Sequence, residues 1–100
     1  MVKYPKKLYK LERFEPSDKK DKKYDAILKN KENNKEVRLP FGQKNMEQYR
    51  DTTGLGLYTK YDHNDKNRRR LFRNRFSNLK QKQDWKKFYT PLEMSYKFLW

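Results

Sequence analysis

The sequence predicts a small α+β domain, and three stretches carry that prediction. Residues 24–41 alternate apolar and polar side chains around a turn-rich centre. Residues 65–80 place aromatic side chains at helical spacing. Residues 90–100 open on a helix-start signature. Ahead of them, residues 1–23 read as a basic, extended arm, and residues 24–100 as the single domain it precedes. One hundred residues leave no room for a large core or a buried catalytic cleft. Charged residues make up 40% of the chain, apolar residues 33%, and the net charge is +14, close to the composition of disordered chains. Eight Tyr, six Phe and two Trp argue for a packed structure, because each ring buries a large area.

In the arm, Tyr4, Leu8, Leu11 and Phe14 supply apolar anchors, while Pro5 and Pro16 interrupt regular structure. Leu8 and Leu11 suit either a short helix or an extended path across a neighbour. The run DKKDKK at 18–23 reads as a solvated linker. Residues 24–41 then form a β-hairpin with one buried face. Tyr24, Ala26 and Leu28 alternate with Asp25, Ile27 and Lys29, and Val37, Leu39 and Phe41 alternate with Arg38 and Pro40. The intervening NKENNK favours a turn, with Asn33-Asn34 suited to positive φ. Pro40 lacks an amide donor and belongs at a strand end or an edge. An isolated hairpin is marginal, so it has to pack on a helix or join another sheet.

Residues 43–64 form an aromatic loop containing Leu55, Leu57, Tyr58 and Tyr61, which could either meet a partner or cover the small core. Its glycines match neither the GxGxxG nor the GxxxxGK phosphate-binding spacing. The helix over 65–80 starts at Asp65, whose side chain suits an N-cap. Phe72, Phe76 and Leu79 share one side of it. Lys66, Arg70, Arg73 and Lys80 fall on the flank and back, and Arg68 and Arg75 border the apolar stripe. Trp85, Phe88 and Tyr89 form a compact aromatic group. In the last stretch, Thr90 at the N-cap, Pro91 at N1 and Glu93 at N3 spell a capping box. That helix over 90–100 places Leu92, Tyr96 and Leu99 on one face and ends near the amphipathic Trp100.

Chemistry follows from charge. So many Lys and Arg predict an acidic partner: nucleic acid, an anionic membrane or an acidic protein surface. Lys66, Arg68, Arg69, Arg70, Arg73, Arg75 and Lys80 are the expected contacts, since guanidinium groups bind phosphate bidentately and release counterions. None of the common nucleic-acid modules is present, so any DNA contact is expected to be to the backbone rather than to bases. Arg and aromatics also concentrate at protein interfaces. On that reading Tyr4, Leu8, Leu55, Tyr58, Trp85, Tyr96 and Trp100 are partner anchors. Catalysis, a cofactor and a metal are not expected. There is no Cys, and the lone His63 sits in a polar DHND stretch that suits a loop or cap and matches no ligand spacing. No apolar run reaches the roughly 18 residues of a membrane span, and MVKYPKKLYKLERF lacks a signal-peptide core, so an intracellular origin is expected.

Several blocks in order resemble a family of small basic proteins of large eukaryotic DNA viruses, the chloroviruses and their giant relatives. KKYDAILKNKENNKEVRLPFG at 22–42 looks like that family's opening hairpin, and MEQYRD at 46–51 like its Tyr segment. HNDKNRRRLFRNRF at 63–76 is similar to its helix start. DW at 84–85 and TPLEMSYKFLW at 90–100 are similar to its Trp segment and closing helix. TTGLGLYTKY at 52–61 stands as an insertion, and residues 1–21 have no firm counterpart. The resemblance implies a virion component made in the host cell. The first expectation is a minor capsid, or cement, protein on the inner face of an icosahedral shell, touching the major capsid protein and other minor capsid proteins. The alternative is a virion DNA-binding protein that contacts genomic phosphates without sequence specificity. The inner membrane surface is a further possible neighbour.

Overall fold

The computed structural model describes residues 4–100 as an α+β domain. In chain order it contains β1 (Tyr4–Pro5), β2 (Tyr9–Pro16), β3 (Lys22–Asn30), β4 (Glu36–Gln43), a 3-10 turn (Thr59–Tyr61), α1 (Lys66–Phe76), α2 (Leu79–Lys82), β5 (Phe88–Tyr89) and α3 (Pro91–Phe98). A three-stranded antiparallel sheet runs β2-β3-β4, and β1 pairs with β5 as a separate two-stranded ribbon.

The expected hairpin is β3–β4. Its register sets Tyr24 opposite Phe41, Ala26 opposite Leu39 and Leu28 opposite Val37. Asn34 takes φ 61° in the turn, where an Asn side chain tolerates the left-handed region. Pro40 sits on an edge strand, where its missing donor costs no ladder bond.

The described part of the 1–23 segment corrects the expectation of an extended arm. Residues 9–16 are the third strand of the sheet, pairing along β3 from Tyr9–Asn30 to Pro16–Tyr24. The pairing shifts between Leu11 and Arg13, so Leu11 faces Leu28 and Phe14 faces Ala26. The extra residue, Glu12, puts two apolar side chains three apart on one sheet face. That spacing imitates a helix in the sequence. The linker reading of 18–23 is also too generous, because Lys22 and Lys23 already belong to β3.

The inner face of the sheet carries the core: Tyr24, Ala26, Leu28, Leu39 and Phe41, closed by Met94 and Leu99 from the C-terminal stretch. Burying each large side chain contributes about 1.5–3 kcal/mol. Phe14 bridges sheet and helix edge-on, 5.6 Å from Phe41 and 4.7 Å from Phe98. The hairpin was expected to bury one face, yet Asp25 and Ile27 on the other side are also buried. Ile27 lies between Arg13 and Arg38 on the flanking strands, whose aliphatic stems can cover it while their charged ends reach solvent. There Arg13 grips Glu36 bidentately at 2.8 and 3.0 Å and Glu15 at 2.6 Å. Arg38 donates to Glu15 at 2.7 Å and Asp25 at 3.2 Å. These hydrogen bonds hold Glu15 and Glu36 below the usual carboxylate range. Three acids meet two arginines, so this face of the sheet is charge-compensated.

The loop over 43–64 is tied down by a polar knot. Buried Lys23 donates to the Met46 carbonyl at 2.6 Å and to Gln48 Oε1. Gln48 Nε2 reaches the Tyr58 carbonyl and Asp62 Oδ1 at 2.9 and 2.8 Å. Tyr24 donates its phenolic proton to Asp51. Burial and that hydrogen bond push the Tyr24 phenol up to about 12.

Candidate nucleic-acid interface

α1 is shorter than the expected 65–80 helix. Asp65 caps it as expected, its Oδ1 accepting from the amides of Asn67 and Arg68 at 2.9 and 3.2 Å. His63 contributes to the same cap, its Nδ1 accepting from the Asp65 amide at 2.9 Å. Helical pairing stops at Phe76. Ser77 Oγ donates to the Asn74 carbonyl at 3.1 Å, and Ser and Asn side chains compete with the helical ladder in this way. Leu79 and Lys80 resume in the single turn α2.

Aromatic stacking holds α1 to the domain. The Phe72 ring lies parallel to Trp100, with centroids 4.2 Å apart and planes 3° from parallel, and Phe76 packs against Phe72 at 4.7 Å. His63 lies 5.1 Å from Trp100. Burial, and then the charge of Arg68, hold the His63 imidazole below its ordinary value. Two of the expected anion-contact arginines also serve this docking. Arg69 donates from Nε to the Trp100 backbone oxygen at 2.8 Å and lies 4.9 Å over Tyr49. Arg73 lies 4.6 Å over Tyr96, with its Nε buried. Lys80 approaches the same ring at 4.6 Å. Arg73 therefore belongs to the docked side, because a guanidinium is attracted to an aromatic face, whereas Lys80, in α2, meets the ring and stays exposed.

Lys66, Arg68, Arg70 and Arg75 remain exposed. Arg68 forms a surface pair with Glu47 at 3.3 Å, and Arg75 lies 5.8 Å from the Phe76 ring. Lys66 and Arg70 have no partner among the described residues. α1 carries six cations and no acid. From Lys66 to Lys97 the chain has eleven cations against two acids, a surplus of nine out of the whole chain's +14. One of those two acids, Glu93, is buried against Lys6 and Lys97. The segment that carries the helices thus holds most of the chain's uncompensated charge, in contrast to the paired charges of the sheet.

The expected partner anchors are mostly used internally. Trp85 and Tyr96 are buried and meet edge-on at 5.2 Å. Tyr58 packs edge-on against Tyr24 at 5.2 Å, and Tyr4 against Tyr9 at 5.4 Å. Leu8 is half-buried, and Trp100 is committed to Phe72. Leu55 alone among them is exposed, together with Met46, Leu57 and Leu71, which the sequence reading did not place in the anchor set. Thr90 caps α3 by accepting from the Glu93 amide at 3.1 Å, but the Glu93 side chain turns to the lysines and leaves the capping box half made.

Among the described residues no cluster of three potential ligands could hold a metal, and no helix is long and apolar enough to cross a membrane. Compared with known proteins, the chain matches no family model, no curated protein and no solved structure.

Proposed function

We propose that this protein binds nucleic acid by its phosphates through the exposed side of α1, as a packaged component of a large DNA virus. The observation that carries this reading is the charge of that helix: six cations, no acid, and four of the cations left facing solvent after the domain has used Arg69 and Arg73 for docking. Neutralising phosphates releases counterions, so affinity has to fall steeply with salt. Four contacts predict a slope of about −3.6 in log K against log salt, and Arg70→Ala with Arg75→Ala is expected to reduce its size by about 1.8. Fluorescence anisotropy with a labelled 20-base-pair duplex at several salt concentrations measures both. A salt-independent affinity, or one unchanged in the double variant, overturns the reading.

The exposed Met46, Leu55 and Leu57 favour a second reading, a cement protein held to capsid neighbours by the 43–64 loop. Fractionating particles into shell and genome core at high salt separates the two. Retention with the shell supports cementing, and release as salt rises supports phosphate binding.

A further inference from the structure

The exposed side of α1 has an internal order that phosphate binding alone does not require. At about 100° per residue, the docked residues Arg69, Phe72, Arg73 and Phe76 centre on one direction. Asn67, Leu71 and Asn74 centre on the opposite one, and all three are exposed. Arg70 and Lys66 lie to one side of that strip, and Arg68 and Arg75 to the other. The helix therefore presents an uncharged middle flanked by two cationic edges. Leu71 is 59% exposed in the middle of the most basic helix of the domain. Neither Asn side chain has a partner among the described residues. A surface built only to attract phosphates gains nothing from a leucine and two free amides at its centre.

We infer that α1 seats in the major groove of B-form DNA, with its cationic edges on the two phosphate strands and Asn67, Leu71 and Asn74 against the base edges. This inference rests on the phosphate-binding reading and departs from the expectation of backbone contact alone. The dimensions agree. A helix with its side chains is about 10–12 Å across, and the major groove is about 12 Å wide. Eleven residues at about 1.5 Å each span about 16 Å, enough to present three successive turns to the groove. The chemistry selects the bases. An Asn amide pairs bidentately with adenine N6 and N7, and an apolar side chain meets the thymine methyl. The preferred sites are therefore rich in A·T pairs, read from the major-groove side. Arg68 has to exchange Glu47 for a phosphate, an exposed pair that costs little to break.

The test uses the whole chain and duplexes altered at major-groove atoms alone. Replacing adenine by 7-deazaadenine removes N7, and replacing thymine by uracil removes the methyl, while the phosphates are untouched. Wild-type protein is expected to enrich A·T-rich duplexes from a random pool and to lose on the order of tenfold in affinity to each modified duplex. The Asn67→Ala, Asn74→Ala double variant is expected to ignore the deaza substitution yet keep the wild-type salt slope. Both side chains are exposed and unpartnered, so this variant retains the fold, which circular dichroism checks. Salt-steep binding with equal affinity for every duplex overturns the groove seat but leaves phosphate binding standing. Tighter binding to an RNA duplex, whose major groove is too narrow to read, also overturns it. Absence of salt-steep binding removes both proposals.

Discussion

Lys23 gives the sharpest physical test of the fold. Its ammonium is buried in the sheet–loop junction, bonded to the Met46 carbonyl and Gln48 Oε1 and facing Tyr58 and Tyr61 at 5.9 and 5.2 Å. Burial pushes it down from 10.5 to about 8, with Asp51 and Asp62 opposing part of the fall. In the unfolded chain the same lysine titrates near 10.4. Between these values the unfolded state holds more protons than the folded one, so stability rises with pH. The charged form therefore costs the fold most below pH 8, and the cost is relieved as pH climbs toward 10.5. At about 1.4 kcal/mol per unit of pKa difference, the relief from pH 7 to pH 10 is roughly 2 kcal/mol. Urea unfolding of wild type and Lys23→Met at pH 7, 8, 9 and 10 isolates it, because the two proteins differ in this one titratable group. The wild type should gain roughly 2 kcal/mol on the variant across that range. A flat difference would refute the reasoning, since it would mean that the ammonium is as well solvated folded as unfolded.

Three further outcomes are expected. Gly42→Ala should cost about 2–4 kcal/mol in denaturant melts, because Gly42 takes φ +76° and an added Cβ would lie 2.9 Å from the buried Leu99. Trp100→Ala should remove about 2–4 kcal/mol and reduce the helical circular dichroism signal, since the Phe72 stack that holds α1 is lost. The folded-state value of His63 is depressed, so its contribution is complete above about pH 6.5 and is lost as pH falls below it. Wild type should therefore lose stability relative to His63→Gln between pH 7 and 5, measured by thermal melts.

What could be read from the sequence was mostly local. Asp65 and Thr90 cap helices because a side-chain oxygen one turn ahead of orphan amides needs no tertiary context. Asn34 turns the hairpin for an equally local reason. The failures came where distant residues decide. Leu8, Leu11 and Phe14 recur every third position, and only the partner strand reveals that a bulge at Glu12 makes Leu11 and Phe14 neighbours on a sheet. Lys23 read as part of a solvated linker and Glu93 as the acid of a capping box, yet both are buried, because Gln48 lies 25 residues from the first and Lys6 lies 87 from the second. The Arg-rich helix was expected over 65–80 and its cap was legible, but its end at Phe76 and the division of its cations were not. A guanidinium suits water and an aromatic face almost equally, and only the positions of Tyr49 and Tyr96 send Arg69 and Arg73 inward.

That division explains why α1 uses arginine when the rest of the chain prefers lysine: five of the eight arginines lie in this one helix. Lysine would supply the same charge. It would not supply a flat cation that stacks on a ring while donating from Nε, as Arg69 does to Trp100. The two sets of arginines should therefore respond differently to a charge-preserving exchange. Arg69→Lys with Arg73→Lys should destabilise the domain by about 1–2 kcal/mol, because each loses a stacked guanidinium and Arg69 also loses a backbone hydrogen bond. Arg70→Lys with Arg75→Lys should leave the melting temperature within a degree or so, since exposed substitutions away from packing are close to neutral. It should also keep the salt slope of DNA binding, which counts charges, while weakening affinity through the lost bidentate phosphate geometry. If both pairs behaved alike, whether both neutral or both damaging, the separation of α1 into a docking side and a binding side would be wrong. The proposals built on its exposed face would then lose their footing.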